Sequence, residues 1–195
     1  MSIVLQDFSW RRVVEAVEAV HERACRATAA LEQAGIPYAV AGGNAVAAWV
    51  SRVDRAAVRN TQDVDILVRR SDFEAVKQAL ASVGFEHHTI KDVEVFIDGP
   101  QGKPRDAVRL IFAGEKVRPT CPAPSADVTE LDRGEHYKVL ALDALVRMKL
   151  NSFRVKDRMH LLDLLDVGLI DRSWLPRLGP EHATRLQQLI ENPDG

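Results

Sequence analysis

Asp63 and Asp65 stand one residue apart in Thr61-Gln62-Asp63-Val64-Asp65-Ile66-Leu67-Val68, an otherwise apolar run. Strand side chains alternate between faces, so both carboxylates point the same way while Val64 and Ile66 turn to the core. Two acids in an apolar strand are costly to bury unless a positive group lies between them. A divalent cation is the usual solution. Mg²⁺ suits the pair, because it prefers carboxylate oxygens and keeps substrate phosphates among its other ligands. Upstream, an apolar run ends in Gly42-Gly43-Asn44, a strand-to-helix turn where a backbone without Cβ atoms can approach phosphate and offer it amide N–H groups. Arg59 and Thr61, just before the acids, add a cation and a hydroxyl of the kinds that bind phosphate.

These residues need elements to hold them. Apolar positions from about Phe8 to Gln33 recur at helical spacing and stop at Gly35, which predicts a long first helix. Tyr38 to Ala41 reads as a strand, followed by a short helix beginning near Asn44 as its cap, then a loop over 51–62. After the acid-bearing strand, Ser71 with Glu74 forms a capping-box pattern for a helix ending at Gly84. Phe85 to Asp98 reads as a strand with a break near Lys91-Asp92, and Ala107 to Ala113 as another, joined by a Gly- and Pro-rich turn over 99–104. Prolines at 119, 122 and 124 mark 117–127 as a linker. Helical spacing returns over about 138–151 and 155–167, and Pro180 opens a last helix ending near Ile190. Strands clustered between helices predict an α+β fold, a mixed sheet flanked by helices, with a core over 1–118 and a C-terminal helical region over 119–195.

The chain has 195 residues, 46% of them apolar and 28% charged, enough for a core of its own. A net charge of −2 gives no global attraction to nucleic acid, so any such contact needs a local basic surface. Lys103, Arg105, Arg109, Lys116 and Arg118 are the candidates for one. Two cysteines argue against a disulfide framework and for a reducing, cytoplasmic setting. No apolar run is long enough to span a membrane.

The Gly-Gly turn with a downstream Asp-x-Asp strand resembles the nucleotidyltransferase superfamily related to DNA polymerase β. The helix over Lys156-Asp157-Arg158-Met159-His160-Leu161-Leu162-Asp163 is similar to the Lys-Asp signature of the small bacterial, toxin-type AbiEii group, with His160 where a second Asp is expected. The resemblance implies that Gly42 and Gly43 cradle a nucleoside triphosphate. Asp63 and Asp65 would hold Mg²⁺ or Mn²⁺ in a two-metal transfer, and Lys156 would reach a phosphate with Asp157 orienting it or a nearby Arg. It further implies transfer of a nucleoside monophosphate to a hydroxyl of a tRNA, a protein or a small molecule, and an antitoxin protein as a partner. The family's third carboxylate sits on a later strand, and here Arg109 takes its place. Three consequences stay open: Arg109 neutralises the acids in place of a metal, or Glu94 substitutes as the acid, or Asp106 does. The alternative to transfer, for which Arg109 is the evidence, is a nucleotidyltransferase fold that senses nucleotide or binds protein without transfer.

Overall fold

The structure, a computed structural model, describes residues 9–193, so Phe8 at the expected start of the first helix lies outside the described residues. In order, its elements are α1 (Trp10–Gln33), β1 (Tyr38–Ala41), α2 (Gly42–Val50), β2 (Val64–Val68), α3 (Phe73–Ala81), β3 (Phe85–Ile90), β4 (Val93–Asp98) and β5 (Val108–Phe112). There follow β6 (Leu131–Arg133), β7 (Lys138–Leu140), α4 (Leu142–Ser152), α5 (Val155–Asp166) and α6 (Pro180–Glu191).

The strands form one seven-stranded mixed sheet in the order β3-β4-β5-β2-β1-β7-β6. β2 runs antiparallel to β1 and parallel to β5, and β1 runs parallel to β7. β1, all four residues buried, and β2, whose Val64, Ile66, Leu67 and Val68 are buried, lie at its centre. Central strands covered on both faces read as continuous apolar runs, and this is why Asp65 stands out in the sequence. Two groups of helices flank the sheet: α1 with α3, and α2 with α4 and α5, on which α6 packs. The fold is therefore the mixed sheet and helices expected from the sequence.

Several local expectations are corrected. α2 starts at Gly42, so Asn44 is its third residue and not its cap. Ser71 does not cap α3, which follows a 3₁₀ turn over Arg70–Asp72 without a side-chain cap. The break at Lys91-Asp92 reverses the chain: both residues have positive φ, 49° and 62°, and β3 and β4 pair as a hairpin across them. Residues 138–140, expected as helix, are strand β7, because Val139 pairs with Val40 of β1 and the helix begins only at Leu142. The C-terminal segment thus adds β6 and β7 to the central sheet. Among the described residues no helix is long and apolar enough to cross a membrane.

Candidate active site

Sheet register brings the candidate residues together. Ala41 of β1 pairs with Asp65 of β2, and Asp65 pairs on its other side with Arg109 of β5. The chain turns from β1 into α2 at Gly42, with φ +62°, where a Cβ would overlap the Asp65 carboxylate. A Cβ at Gly43 would fall 2.8 Å from Thr61 Oγ1. Both glycines are therefore needed for the turn to lie against the acids. No side chain caps the N-terminus of α2, whose first residues Gly42, Gly43 and Asn44 are buried. Thr61 Oγ1 donates to Asp63 Oδ1 at 2.9 Å, and Asn44 Nδ2 donates to the Asp63 carbonyl at 2.8 Å, so the turn and the acid strand are tied to each other.

Cations surround the acid pair. The Arg109 guanidinium bridges it, Nη2 to Asp63 Oδ2 and Nε to Asp65 Oδ1 at 3.0 Å. Lys156 Nζ, from α5, lies 3.5 Å from Asp63 Oδ2. Burial raises the Asp65 pKa against the pull of Lys149, Lys156 and Arg154. Burial also lowers those of Lys156 and Arg109. Behind this layer Asp157 and Lys149 are both buried and paired at 3.3 Å. Arg154 Nε and Ser152 Oγ each donate to Asp157 Oδ2 at 2.7 Å. Burial alone would raise Asp157, but the hydrogen bond from Arg154, the Lys149 charge and the Ser152 hydroxyl outweigh it and bring the carboxyl to about 2.

The sequence-derived candidates do not all converge. Gly42, Gly43, Thr61, Asp63, Asp65 and Lys156 do. Arg59 instead pairs with Asp163 of α5 at 2.6 Å, tying the loop before β2 to that helix. Glu94 is one residue before Val95, the register partner of Arg109, so it does not stand beside Arg109 on the strand; it lines the same cleft but is engaged by His87 at 2.6 Å and Thr89 at 2.8 Å. Asp106 lies in the 3₁₀ turn Pro104–Asp106, ahead of β5. Neither takes the register position of Arg109. Of the basic cluster, Arg109, Lys116 and Arg118 line a cleft of about 470 Å³ together with Asp65, Arg154 and Lys156. Lys103 is exposed away from that lining, and the Arg105 side chain lies outside what is described. Lys149 and Arg154 escape the sequence reading. Their only signal is their place in Lys149-Leu150-Asn151-Ser152-Phe153-Arg154, just ahead of Lys156-Asp157.

Two carboxylates with oxygens facing one shared cation are a donor set for one hard divalent ion, with water and phosphate completing its shell. The described residues contain no group of three or more His, Cys, Asp or Glu side chains arranged to hold a metal. The side chains present thus fit one Mg²⁺ or Mn²⁺ held by Asp63 and Asp65.

A Gly-Gly strand-to-helix turn set against an Asp-x-Asp strand, on a mixed sheet with the Lys156-bearing helix beside it, defines a nucleotidyltransferase-like protein. Residues 7–112 match the model of a family described as uncharacterised nucleotidyltransferase, and the chain belongs to that family. Its fold is similar to the crystal structure of an antigenic nucleotidyltransferase-like protein from Paracoccidioides brasiliensis, at 18% identity and a TM-score of 0.58 over 92% of this chain and 91% of that one. Looser likenesses are to the antibiotic-resistance factor ANT(2'')-Ia in solution (13% identity, TM-score 0.47, 92% and 85% covered) and to ANT(2'')-Ia in complex with adenylyl-2''-tobramycin (15%, 0.46, 92% and 98%). No curated protein matches the chain in sequence.

Proposed function

We propose that this chain binds a nucleoside triphosphate and transfers its nucleoside monophosphate to a hydroxyl acceptor. The observation that carries the reading is the packing of the Gly42-Gly43 turn against the Asp63–Asp65 pair, with Asp65, Arg109, Arg154 and Lys156 lining one cleft and Arg109 and Lys156 paired to the acids. The amides of the turn and the three cations hold the phosphates, and bidentate guanidinium contacts fix their orientation. Thr61 and Asn44 keep Asp63 in place, while Lys149 and Asp157 set the position of Arg154 from behind. Asp63 and Asp65 would hold Mg²⁺ or Mn²⁺, which supplies positive charge at the phosphates. In the transfer, the acceptor hydroxyl gives up its proton to solvent, its oxygen bonds to the α-phosphorus, the bond from that phosphorus to the bridging oxygen breaks, and pyrophosphate leaves.

The acceptor in this proposal is an RNA, a protein side chain or a small molecule. The Lys156-Asp157 helix supports the toxin-like form, with a protein antitoxin as partner. A second reading has its own observation: Arg109 already bridges both acids. On that reading the site binds nucleotide without metal and without transfer, as a sensing module.

Calorimetry with each NTP, with and without Mg²⁺, tests the proposal, with Asp63→Ala/Asp65→Ala as control and pyrophosphate release measured with tRNA, protein and aminoglycoside acceptors. Metal-dependent binding with release supports transfer. Binding that ignores metal, without release, supports the sensing module, and no binding overturns both.

A further inference from the structure

Parallel pairing of β2 and β5 sets Arg109 directly opposite Asp65. The backbone enforces this position, because a one-residue slip of β5 would turn the buried Val108 and Leu110 out of the core. The guanidinium there is a feature of the sheet register, and it spans both acids. Lys156 adds a second positive group on Asp63. In the layer behind, Lys149 and Arg154 share the single carboxylate of Asp157. Across the cluster, Asp63, Asp65 and Asp157 face Arg109, Lys149, Arg154 and Lys156, so the cations already outnumber the acids. Each divalent ion adds two more positive charges. One can be matched by the triphosphate and the two acids, but a second needs a further anionic ligand, and Glu94, which lines the same cleft, is not at the register position of Arg109 and is engaged by His87 and Thr89.

We infer that Arg109 is a built-in replacement for one divalent ion, so that the site takes one ion, and not two, for each nucleotide it binds. When an ion occupies the acids, the guanidinium turns its forked donors to phosphate oxygens, for which its geometry is suited. The inference rests on the nucleotide reading proposed above and goes beyond it by giving the ion count and the residue that determines it.

The test is the number of Mn²⁺ ions bound per chain, read from the loss of the free-ion electron paramagnetic resonance signal at saturating α,β-methylene nucleoside triphosphate. A parallel titration without protein corrects for Mn²⁺ held by free nucleotide. The wild type binds one ion, and Arg109→Asp, which places a third carboxylate in the same register, binds two. Two ions in the wild type overturn the inference while leaving nucleotide binding intact, and so does nucleotide bound with no ion. If Arg109→Asp folds and binds nucleotide yet holds only one ion, Arg109 is not the determinant. If the variant does not fold, the wild-type count alone decides. No nucleotide binding by the wild type overturns the proposed function and this inference with it.

Discussion

Lys149 and Asp157 form a buried ion pair, Nζ to Oδ1 at 3.3 Å, directly behind the candidate phosphate cations. Asp157 is the hub of the pair, since Arg154 and Ser152 also donate to it. Removing one partner of a buried pair leaves the other charge without compensation, which costs about 3–5 kcal/mol. Asp157→Ala is therefore expected to lose stability on that order in urea unfolding. Lys149→Met leaves Asp157 with Arg154 and Ser152 and should lose less, about 1–2 kcal/mol. Equal losses would show that Asp157 has no role beyond pairing with Lys149.

Gly42→Ala is the sharpest test of the turn. The new methyl meets the Asp65 carboxylate, at a backbone φ of +62° that L residues avoid. The conformational part alone costs about 1–2 kcal/mol, and the overlap must also displace Asp65 or the start of α2. The expected result is a lower melting temperature together with lost nucleotide binding. Gly35→Ala, also at positive φ but with open space around it, should show the conformational loss alone and keep binding.

These local features are the ones the sequence makes legible. A Gly-Gly pair between an apolar run and a helix, and acids spaced by one in a strand, follow from rules that act over a few residues. What escapes is set by distant partners. Lys138-Val139-Leu140 continues smoothly into the helical spacing of α4, and only the pairing of Val139 with Val40 makes it a strand. Lys149 reads as an ordinary helix-surface lysine until Asp157, eight residues on, is packed against it. Arg59 reads as a phosphate ligand by proximity in sequence, yet the nearest acid in space is Asp163.

Lys156 sits at the rim, 43% exposed in its side chain, with one 3.5 Å ion pair to Asp63. Such a pair contributes about 0–1 kcal/mol to stability, so Lys156→Met should unfold near the wild-type denaturant midpoint. Its charge matters more to a polyphosphate. A charge-assisted contact of about 1.4 kcal/mol corresponds to about a tenfold weaker nucleotide affinity. Calorimetry at low and at high salt checks this, and an unchanged affinity at low salt would remove Lys156 from the site.

Arg109 compensates the acid pair in the absence of metal. Arg109→Leu leaves Asp63 with Lys156 and the Thr61 hydroxyl, and Asp65 with only the longer-range charges of Lys149, Lys156 and Arg154, and the expected loss in chelator is about 1–3 kcal/mol. Divalent ions should then restore part of it, because nothing competes for the carboxylates. The melting temperature of the variant is expected to rise with Mg²⁺ by more than that of the wild type. Equal rises in the two proteins would show that the guanidinium does not compete for the ion position.

His160 gives the fold a pH dependence of known sign. It is half-buried on α5, its Nδ1 has no hydrogen-bond partner, and burial with the nearby Lys149 charge brings its pKa to about 4 from the usual 6.5. The unfolded chain therefore takes up a proton at His160 before the folded one does. That uptake favours unfolding as pH falls from about 6.5 to about 4, and above 6.5 the contribution of the neutral ring is fully present. Asp157, near 2 when folded against 3.8 in the unfolded chain, adds a second loss of stability only below pH 3.8. Allowing for the partial exposure of the ring, the His160 step is worth on the order of 1–2 kcal/mol. Urea unfolding at pH 8 and pH 5 reads it directly. His160→Leu should lose less stability than the wild type over that interval, and an identical loss in both would place the acid sensitivity at another group.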